Sequence, residues 1–584
     1  MTAGTARLPA VTVLRTAEDE ETDLETFREN RLKGAYDEWP NEAGFDGLTE
    51  ERGPIELKIQ GEIPAWAAGA LYRTGPGYCK VEDTPNGTYY ISHWFDGLAH
   101  THKFDIIPPE PESSGSTRVL YSSRRQCDEL VKEIQTSGPQ GRFTFGQRRD
   151  PCVGLFGKVM SVFSRGTGPN VCVAVNANVP GLTSSEKTVQ GPAAPGHRNG
   201  VRSVWLSTDA NPLLEIDPDT LEPVGTARQD KLHPDLTGPL SCAHAQRDPE
   251  TGDMFNFNLG FGRTATYRIF RVSAATGKTE ILASISESQA RPAYIHSFFL
   301  SKSFVVLCVP STHLGLNGLK VPWERNLLDA IEPFDESKRC RWYFVDRLQG
   351  KGLVATFETP AGFFFHSTNA FEEPSADGDG VDVFCEAASY QNLNILTNLY
   401  YDVLLNRDDA ANKFWQHGDR VKNGYASLRR YRFRIPNNET TENAPQEPEL
   451  LLSIPAPHAG ELPTINPAYL TRRHRYVYSL SDRGLSTLLD TIVKTDADAR
   501  AALMWQCPRA HTPGEPIFVP RPGAEAGAED DGVVLSVVLD GTAQKSYLLC
   551  LDARTMTELG RAECGFVVGL GFHGIHAPSG PGMS

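Results

Sequence analysis

The chain has 584 residues, 40% of them hydrophobic and 22% charged, the proportions of a soluble globular protein. A formal net charge of −16 argues against a nucleic-acid partner, which needs concentrated basic surface to hold phosphates. No run approaches the ~20 apolar residues that span a bilayer. The opening MTAGTARLPAVTVLRTAEDEETD lacks the apolar stretch of a signal peptide, so a cytoplasmic, non-secreted protein is expected.

The first 35 residues read as an acidic arm, flexible or laid on the surface, with its acidic residues between Glu18 and Glu29. Residues 36–584 read as one domain. Short apolar or alternating runs recur along it: TRVLYSS, SVWLS, YRIFRVS, FVVLCVP, WYFVDR, VDVFCEA, RYRFRI, RYVYSL, GVVLSVVL and SYLLCLD. Many lead into a tight polar turn and a second strand, as in LEIDPDTLEPVG, AQRDPETGDMFNF, FRVSAATGKTEIL, FVDRLQGKGLVATF and LCLDARTMTELGRA. Asp, Pro, Thr and Gly stabilise such turns by fixed φ, by side-chain-to-backbone bonds or by positive φ. A strand–turn–strand unit repeated through a chain is the signature of an all-β repeat fold, most often a propeller. The units are too degenerate for the blades to be counted.

Two segments break the β pattern. In PCVGLFGKVMSVFSRG, residues Cys152, Leu155, Phe156, Val159, Met160 and Phe163 follow helical spacing. This stripe is read either as a helix capping the core or as an apolar entrance patch (Leu155, Phe156, Val159, Met160, Phe163) that touches a membrane surface. The second, GLKVPWERNLLDAIEPFD, mixes loop and short helix. Stretches starting at residues 108, 184, 436 and 521 are polar surface loops. Eleven cysteines stand singly, with no C-x-x-C pair, which suits a reducing compartment.

Four of the fifteen histidines stand in distinctive settings: His244 in GPLSCAHAQRDPETGD, His296 in ARPAYIHSFFL, His366 in FFFHSTNAFEE and His573 in GFHGIHAP. Imidazole suits iron, copper, nickel or zinc. Taken singly, any of them reads as a structural histidine as readily as a ligand, and composition does not choose four from fifteen. Phe298, Phe365 and Phe371 lie close to them in sequence and could wall an apolar tunnel, although propeller cores are aromatic too.

The chain resembles the carotenoid cleavage oxygenases, non-haem iron enzymes on a seven-bladed β-propeller, and within them the fungal branch. The marks run in order from RTGPG (73–77) and HWFDGLAHTHKF (93–104) through LHPDLTGPLSCAHAQRDPETGD and His366 to Glu373, then ELPTINP, GEPIFVP and the final FHG. The resemblance implies an all-β, seven-bladed β-propeller with a cap of loops and short helices over its top face. It implies Fe(2+) held by His244, His296, His366 and His573, and carboxylates behind them at Asp209, Glu461 and Glu515. The family usually has Glu where this chain has Asp209.

The activity so implied is oxidative cleavage, with O2, of a conjugated C=C bond in a carotenoid or apocarotenoid of the torulene or β-carotene kind, giving two carbonyl products. A stilbene of the resveratrol type is the alternative substrate. Stilbene cleavers in this family carry a Lys beside the first carboxylate, and the neighbours of Asp209 are Ser207, Thr208 and Ala210. Readings of another class are a non-oxidative isomerase on the same site and a silent binding propeller. A lipophilic substrate implies peripheral membrane contact.

Overall fold

The computed structural model describes residues 10–110, 115–139, 142–148, 170–182, 200–262, 264–286, 290–437, 445–523 and 527–578. The body is mostly β. Four consecutive quartets of antiparallel strands form four sheets, each in chain order. The first holds Ala174–Ala177, Val204–Ser207, Leu213–Ile216 and Pro223–Ala227. The second holds Gln246–Arg247, Met254–Gly260, Thr266–Val272 and Thr279–Ile285. The third runs from Phe299–Leu300 to Leu353–Thr359 and the fourth from Phe363–Pro374 to Glu449–Pro455. A fifth begins with Glu461–Thr464 and ends with Ala501–Gln506, to which Val11–Arg15 adds an outer strand. The remaining large sheet has ten strands and joins the chain's late and early parts: Ile55–Gly61 pairs with Glu558–Glu563 on one side and Arg118–Arg125 on the other.

The packing explains why the strands read as unbroken apolar runs. In Phe304–Val309 all six residues are buried. Phe304, Val306 and Cys308 pack toward Val383, Cys385 and Phe433 of the fourth sheet, while Val305, Leu307 and Val309 pack toward Phe257, Tyr267 and Ile269 of the second. Alternate side chains of a strand point to opposite faces, so a sheet stacked between two others is apolar on both. The Asp-led turns form as expected: Asp217, Asp248 and Asp552 each accept backbone N–H bonds two and three residues on, at 2.7–3.0 Å.

The first strands of successive sheets touch one another, from Gln246–Arg247 to Phe299–Leu300, to Phe363–Pro374 and to Glu461–Thr464. His573–Pro578 touches both Ile517–Pro520 and Ala174–Ala177. The heads of these strands thus gather at one centre.

Helical pieces are more numerous than the sequence suggests. The expected short helices are present at Lys320–Glu324 and Leu327–Ala330, while the stripe from Cys152 to Phe163 lies outside the described residues. Asp128–Ser137 buries only Leu130 and Ile134, and four helices of four to seven residues lie between Asn394 and Asn423. Such short pieces leave almost no 3.6-residue periodicity to read. Within the arm, α1 (Glu20–Lys33) buries Glu20, Phe27 and Arg31 and ends on Gly34, whose φ of 68° puts it in the left-handed region. RTGPG lies inside the strand Gly69–Tyr78, where a Cβ on Gly75 would stand 2.4 Å from Gly571 Cα.

Candidate metal centre

His244 and His296 precede the first strands of the second and third sheets, His366 lies in the first strand of the fourth, and His573 opens the last strand of the ten-stranded sheet. One nitrogen from each converges, all within 4.8 Å of one another. His244 Nε2 stands 3.1 Å from His296 Nε2, and His366 Nε2 stands 3.1 Å from His573 Nε2. A metal ~2.1 Å from two imidazole nitrogens at ~90° sets them ~3.0 Å apart, so the spacing fits one ion bound by all four. Burial, reinforced by the neighbouring imidazoles, pushes His244 and His573 well below the ordinary histidine pKa. Neutral imidazole is the ligating form.

Three carboxylates fix the other ring nitrogens. His366 Nδ1 donates to Glu461 Oε2 at 2.6 Å, His573 Nδ1 to Glu515 Oε1 at 2.7 Å, and His296 Nδ1 to Asp209 Oδ2 at 2.8 Å. Each bond presents Nε2 to the centre. The shorter Asp209 reaches its histidine directly. Its Oδ2 also accepts from the Tyr294 hydroxyl at 2.9 Å, and its Oδ1 accepts the backbone N–H of Ala243 at 3.0 Å. Asp209 therefore grips His296 and the residue before His244 together. No carboxylate contacts His244 among the described residues.

Glu515 is held from both sides. Its Oε2 accepts the N–H of Gly574 at 2.7 Å, and the buried Arg73 donates to its backbone oxygen at 3.1 Å. Burial raises its carboxyl to about 7, with the Arg73 charge and the Gly574 N–H opposing. A Cβ on Gly574 would lie 2.4 Å from Tyr72 O, so only glycine lets this strand pass so close.

A cavity opens beside the histidines, with about 1170 Å³ of empty space, open solvent at its mouth included. His296, His366 and His573 border it, with Phe95, Phe365, Phe572 and Tyr390 around them and Arg31, Trp415, Tyr425 and Asp482 elsewhere in its wall. Of the expected tunnel residues, Phe365 is in this wall. Phe298 instead packs on Phe257 in the core between the second and third sheets, and Phe371 stacks on Phe384 at 4.7 Å. Sequence adjacency misleads there, because alternate strand residues face opposite ways. The expected entrance patch lies outside the described residues.

Other histidines serve the fold. His313, His458, His474 and His511 are buried, and His474 donates to the buried Glu386 at 2.8 Å. His417 is exposed. His576, three residues from His573, bonds Ala67 O at 3.1 Å and takes no part in the cluster. Tyr294, Arg73, Arg31 and Asp482 were not visible as site residues. The tyrosine two places before His296 was the one available hint, since strand alternation puts both on one face.

Comparison with known proteins agrees with this geometry. Residues 44–578 match the family described as retinal pigment epithelial membrane protein. The chain is 53% identical to a torulene dioxygenase of Fusarium fujikuroi over 97% of its own length and 98% of the relative's. It is also 53% identical to a carotenoid dioxygenase of Neurospora crassa, covering 97% of this chain and 96% of that one. A Synechocystis apocarotenoid oxygenase structure shares the fold, with a TM-score of 0.68 at 20% identity, covering 92% of this chain and 98% of the other.

Proposed function

We infer the function from one premise, that this chain belongs to the retinal pigment epithelial membrane protein family of carotenoid oxygenases. We propose that it is an iron(II)-dependent dioxygenase that cleaves a conjugated C=C bond of a carotenoid or apocarotenoid into two carbonyl products. The observation that carries this reading is the convergence of four imidazole nitrogens at the wall of an apolar cavity. The curled body is read as a seven-bladed propeller: five separate sheets, and a ten-stranded sheet counted as two blades joined at Ile55–Gly61.

Four neutral imidazoles leave a bound dication its full charge and positions free for further ligands, unlike a site with a carboxylate ligand. The chemistry that iron supplies when bound is activation of O2 toward the alkene. The chain's own residues do the rest. Asp209, Glu461 and Glu515 hold the Nδ1 protons of His296, His366 and His573, so each ring keeps its tautomer and aim. Phe95, Phe365 and Phe572 wall the space beside the rings, excluding water and restricting a rigid polyene to few registers.

Two observations favour a polyene over a hydroxystilbene. Two relatives at 53% identity are named carotenoid dioxygenase and torulene dioxygenase. Among the described residues lining the cavity there is no lysine to grip a phenol. The test is product analysis by chromatography and mass spectrometry after incubating iron-loaded protein with torulene, β-carotene and resveratrol under 18O2. Labelled aldehydes from a polyene are expected, together with loss of both iron and cleavage in His296→Ala. Cleavage of resveratrol alone would overturn the substrate, and polyene isomerised without label would overturn the dioxygenase.

A further inference from the structure

An ion pair stands in the wall of this mainly apolar cavity, away from the histidines and Glu461. Arg31 of α1 and Asp482, just beyond the strand Tyr476–Ser481, are paired through Nη2 and Oδ2, and both border the cavity. The guanidinium is 1% exposed and sits among the rings of Trp415, Tyr36 and Phe27, with its carbon 4.7, 5.6 and 5.8 Å from their centres. Its Nε and Nη1 have no hydrogen-bond partner among the described residues. Asp482 keeps 14% of its side-chain surface, and its Oδ1 accepts the N–H of Gly484 at 2.7 Å. Burial, with the Asp490 charge adding, raises the Asp482 carboxyl against the pull of Arg31.

A buried ion pair needs a reason, because an apolar pair of similar volume is often as stable or more so. Pinning α1 is not a sufficient one. The helix is already held by Asn30 Nδ2 donating to Arg483 O at 2.8 Å, by Glu20 paired with Arg500 at 2.7 Å, and by Phe27 set edge-on to Trp415 and Tyr425. Nor does α1 fall within the residues that match the family, which begin at 44. The wall at this point is built partly by a segment outside the residues that match the family.

We propose that the Arg31–Asp482 pair is a subsite for a hydroxyl-bearing end group of the polyene, with Asp482 as the acceptor and Arg31 holding its carboxylate ionised and in place. A carboxylate is acceptor-only and has lone pairs beyond those used by Gly484 and Arg31. Glu461, the other carboxylate in the cavity wall, is engaged by His366 beside the metal centre, which leaves Asp482 as the acceptor away from the histidines. The chain therefore discriminates between polyenes by their ends as well as by the bond placed beside the histidines. This inference rests on the oxygenase reading above.

The test compares β-carotene with its monohydroxylated counterpart β-cryptoxanthin, using iron-loaded full-length protein. Wild type is set against Asp482→Asn and against the double variant Arg31→Met/Asp482→Leu, which replaces the pair by apolar volume and leaves no buried charge unmatched. The readout is the ratio of KM for the hydroxylated to the hydrocarbon substrate, with kcat recorded separately. Wild type is expected to favour the hydroxylated substrate, the double variant to raise the ratio about tenfold, and Asp482→Asn, which keeps one acceptor oxygen, to raise it less. Should the double variant be insoluble, the ratio in Asp482→Asn decides. A ratio unchanged in the variants would overturn the subsite and reduce the pair to a structural one. Wild type cleaving neither of these nor torulene would instead overturn the oxygenase reading, and the subsite with it.

Discussion

Asp209 offers the sharpest test of how the centre is held. Its carboxylate accepts from three donors, His296 Nδ1 at 2.8 Å, Tyr294 Oη at 2.9 Å and Ala243 N at 3.0 Å. Asp209→Asn preserves shape but turns one acceptor oxygen into a donor. Whichever way the amide faces, it confronts either the Ala243 N–H or the His296 N–H. A buried donor left unmatched costs about 1–3 kcal/mol, and tenfold in affinity is about 1.4 kcal/mol. Metal binding should therefore weaken by roughly 10–100-fold, the range found when such outer partners are lost. Tyr294→Phe removes one donor and leaves two, so about 1 kcal/mol, or roughly fivefold, is expected. Because Tyr294 and His296 share Oδ2, the double variant should lose less than the sum of the singles. Asp209→Glu tests the reach directly: its extra C–C bond of ~1.5 Å carries the carboxylate past Ala243, so metal binding should weaken although the residue is the family's usual one. The assay is chelator competition with Co(II) and Fe(II), read by cobalt visible absorption and by metal content. Wild-type affinity in Asp209→Asn, or tighter binding in Asp209→Glu, would refute the clamp.

Three further outcomes are expected. His244 and His573 are pushed below the ordinary histidine pKa, so the unfolded chain binds more protons than the folded one below pH ~6.5, and stability falls with acidification there by up to about 1.4 kcal/mol per pH unit for each. His93, lowered to about 4, adds in the same direction, while Glu515, raised to about 7, opposes it; urea melts of chelator-treated protein between pH 7.5 and 5 should show a net loss toward acid, and a flat profile would contradict it. Gly574→Ala places a Cβ 2.4 Å from Tyr72 O, and should lower both melting temperature and metal content, whereas Gly87→Ala at an open turn should leave metal content unaltered. Glu386 bonds His474 and Arg430, each at 2.8 Å, in a fully buried cluster that is not part of the metal centre; Glu386→Gln should cost about 3–5 kcal/mol in urea unfolding without changing the metal stoichiometry of the folded fraction.

What was legible in the sequence follows from what short-range chemistry encodes. Asp at the head of a turn, as in Asp217, Asp248 and Asp552, bonds its own neighbours, so those hairpins could be read residue by residue. The four histidines and three acids were chosen by motif context, and the structure brings all seven together. Partners that depend on strand facing or on chain returning from far away were not legible. Phe298 and Phe365 looked equivalent beside their histidines, yet only Phe365 faces the cavity. Nothing local to His474 in RRHRYV reveals its partner Glu386, 88 residues away. Arg31 sat in a segment read as a flexible acidic arm. Its partners Asp482 and Trp415 lie more than 380 residues on, and no local pattern could have joined them.

The acid–histidine bonds have a further consequence for how the centre and the fold support each other. Asp209 follows a strand of the first sheet but grips His296, at the head of the third, and Ala243, at the head of the second. Glu461 opens the fifth sheet and holds His366 of the fourth. Glu515 and His573 lie toward opposite ends of the ten-stranded sheet, so their bond draws those ends together. None of these bonds lies within one hairpin; each ties one sheet to another or one end of the ten-stranded sheet to the other. A metal at the four imidazoles would tie the same elements a second time, so metal loss should loosen the contacts between sheets before it disturbs the hairpins within them. Hydrogen exchange would then rise first around His244, His296 and His573, while strands such as Gly532–Asp540 stay protected.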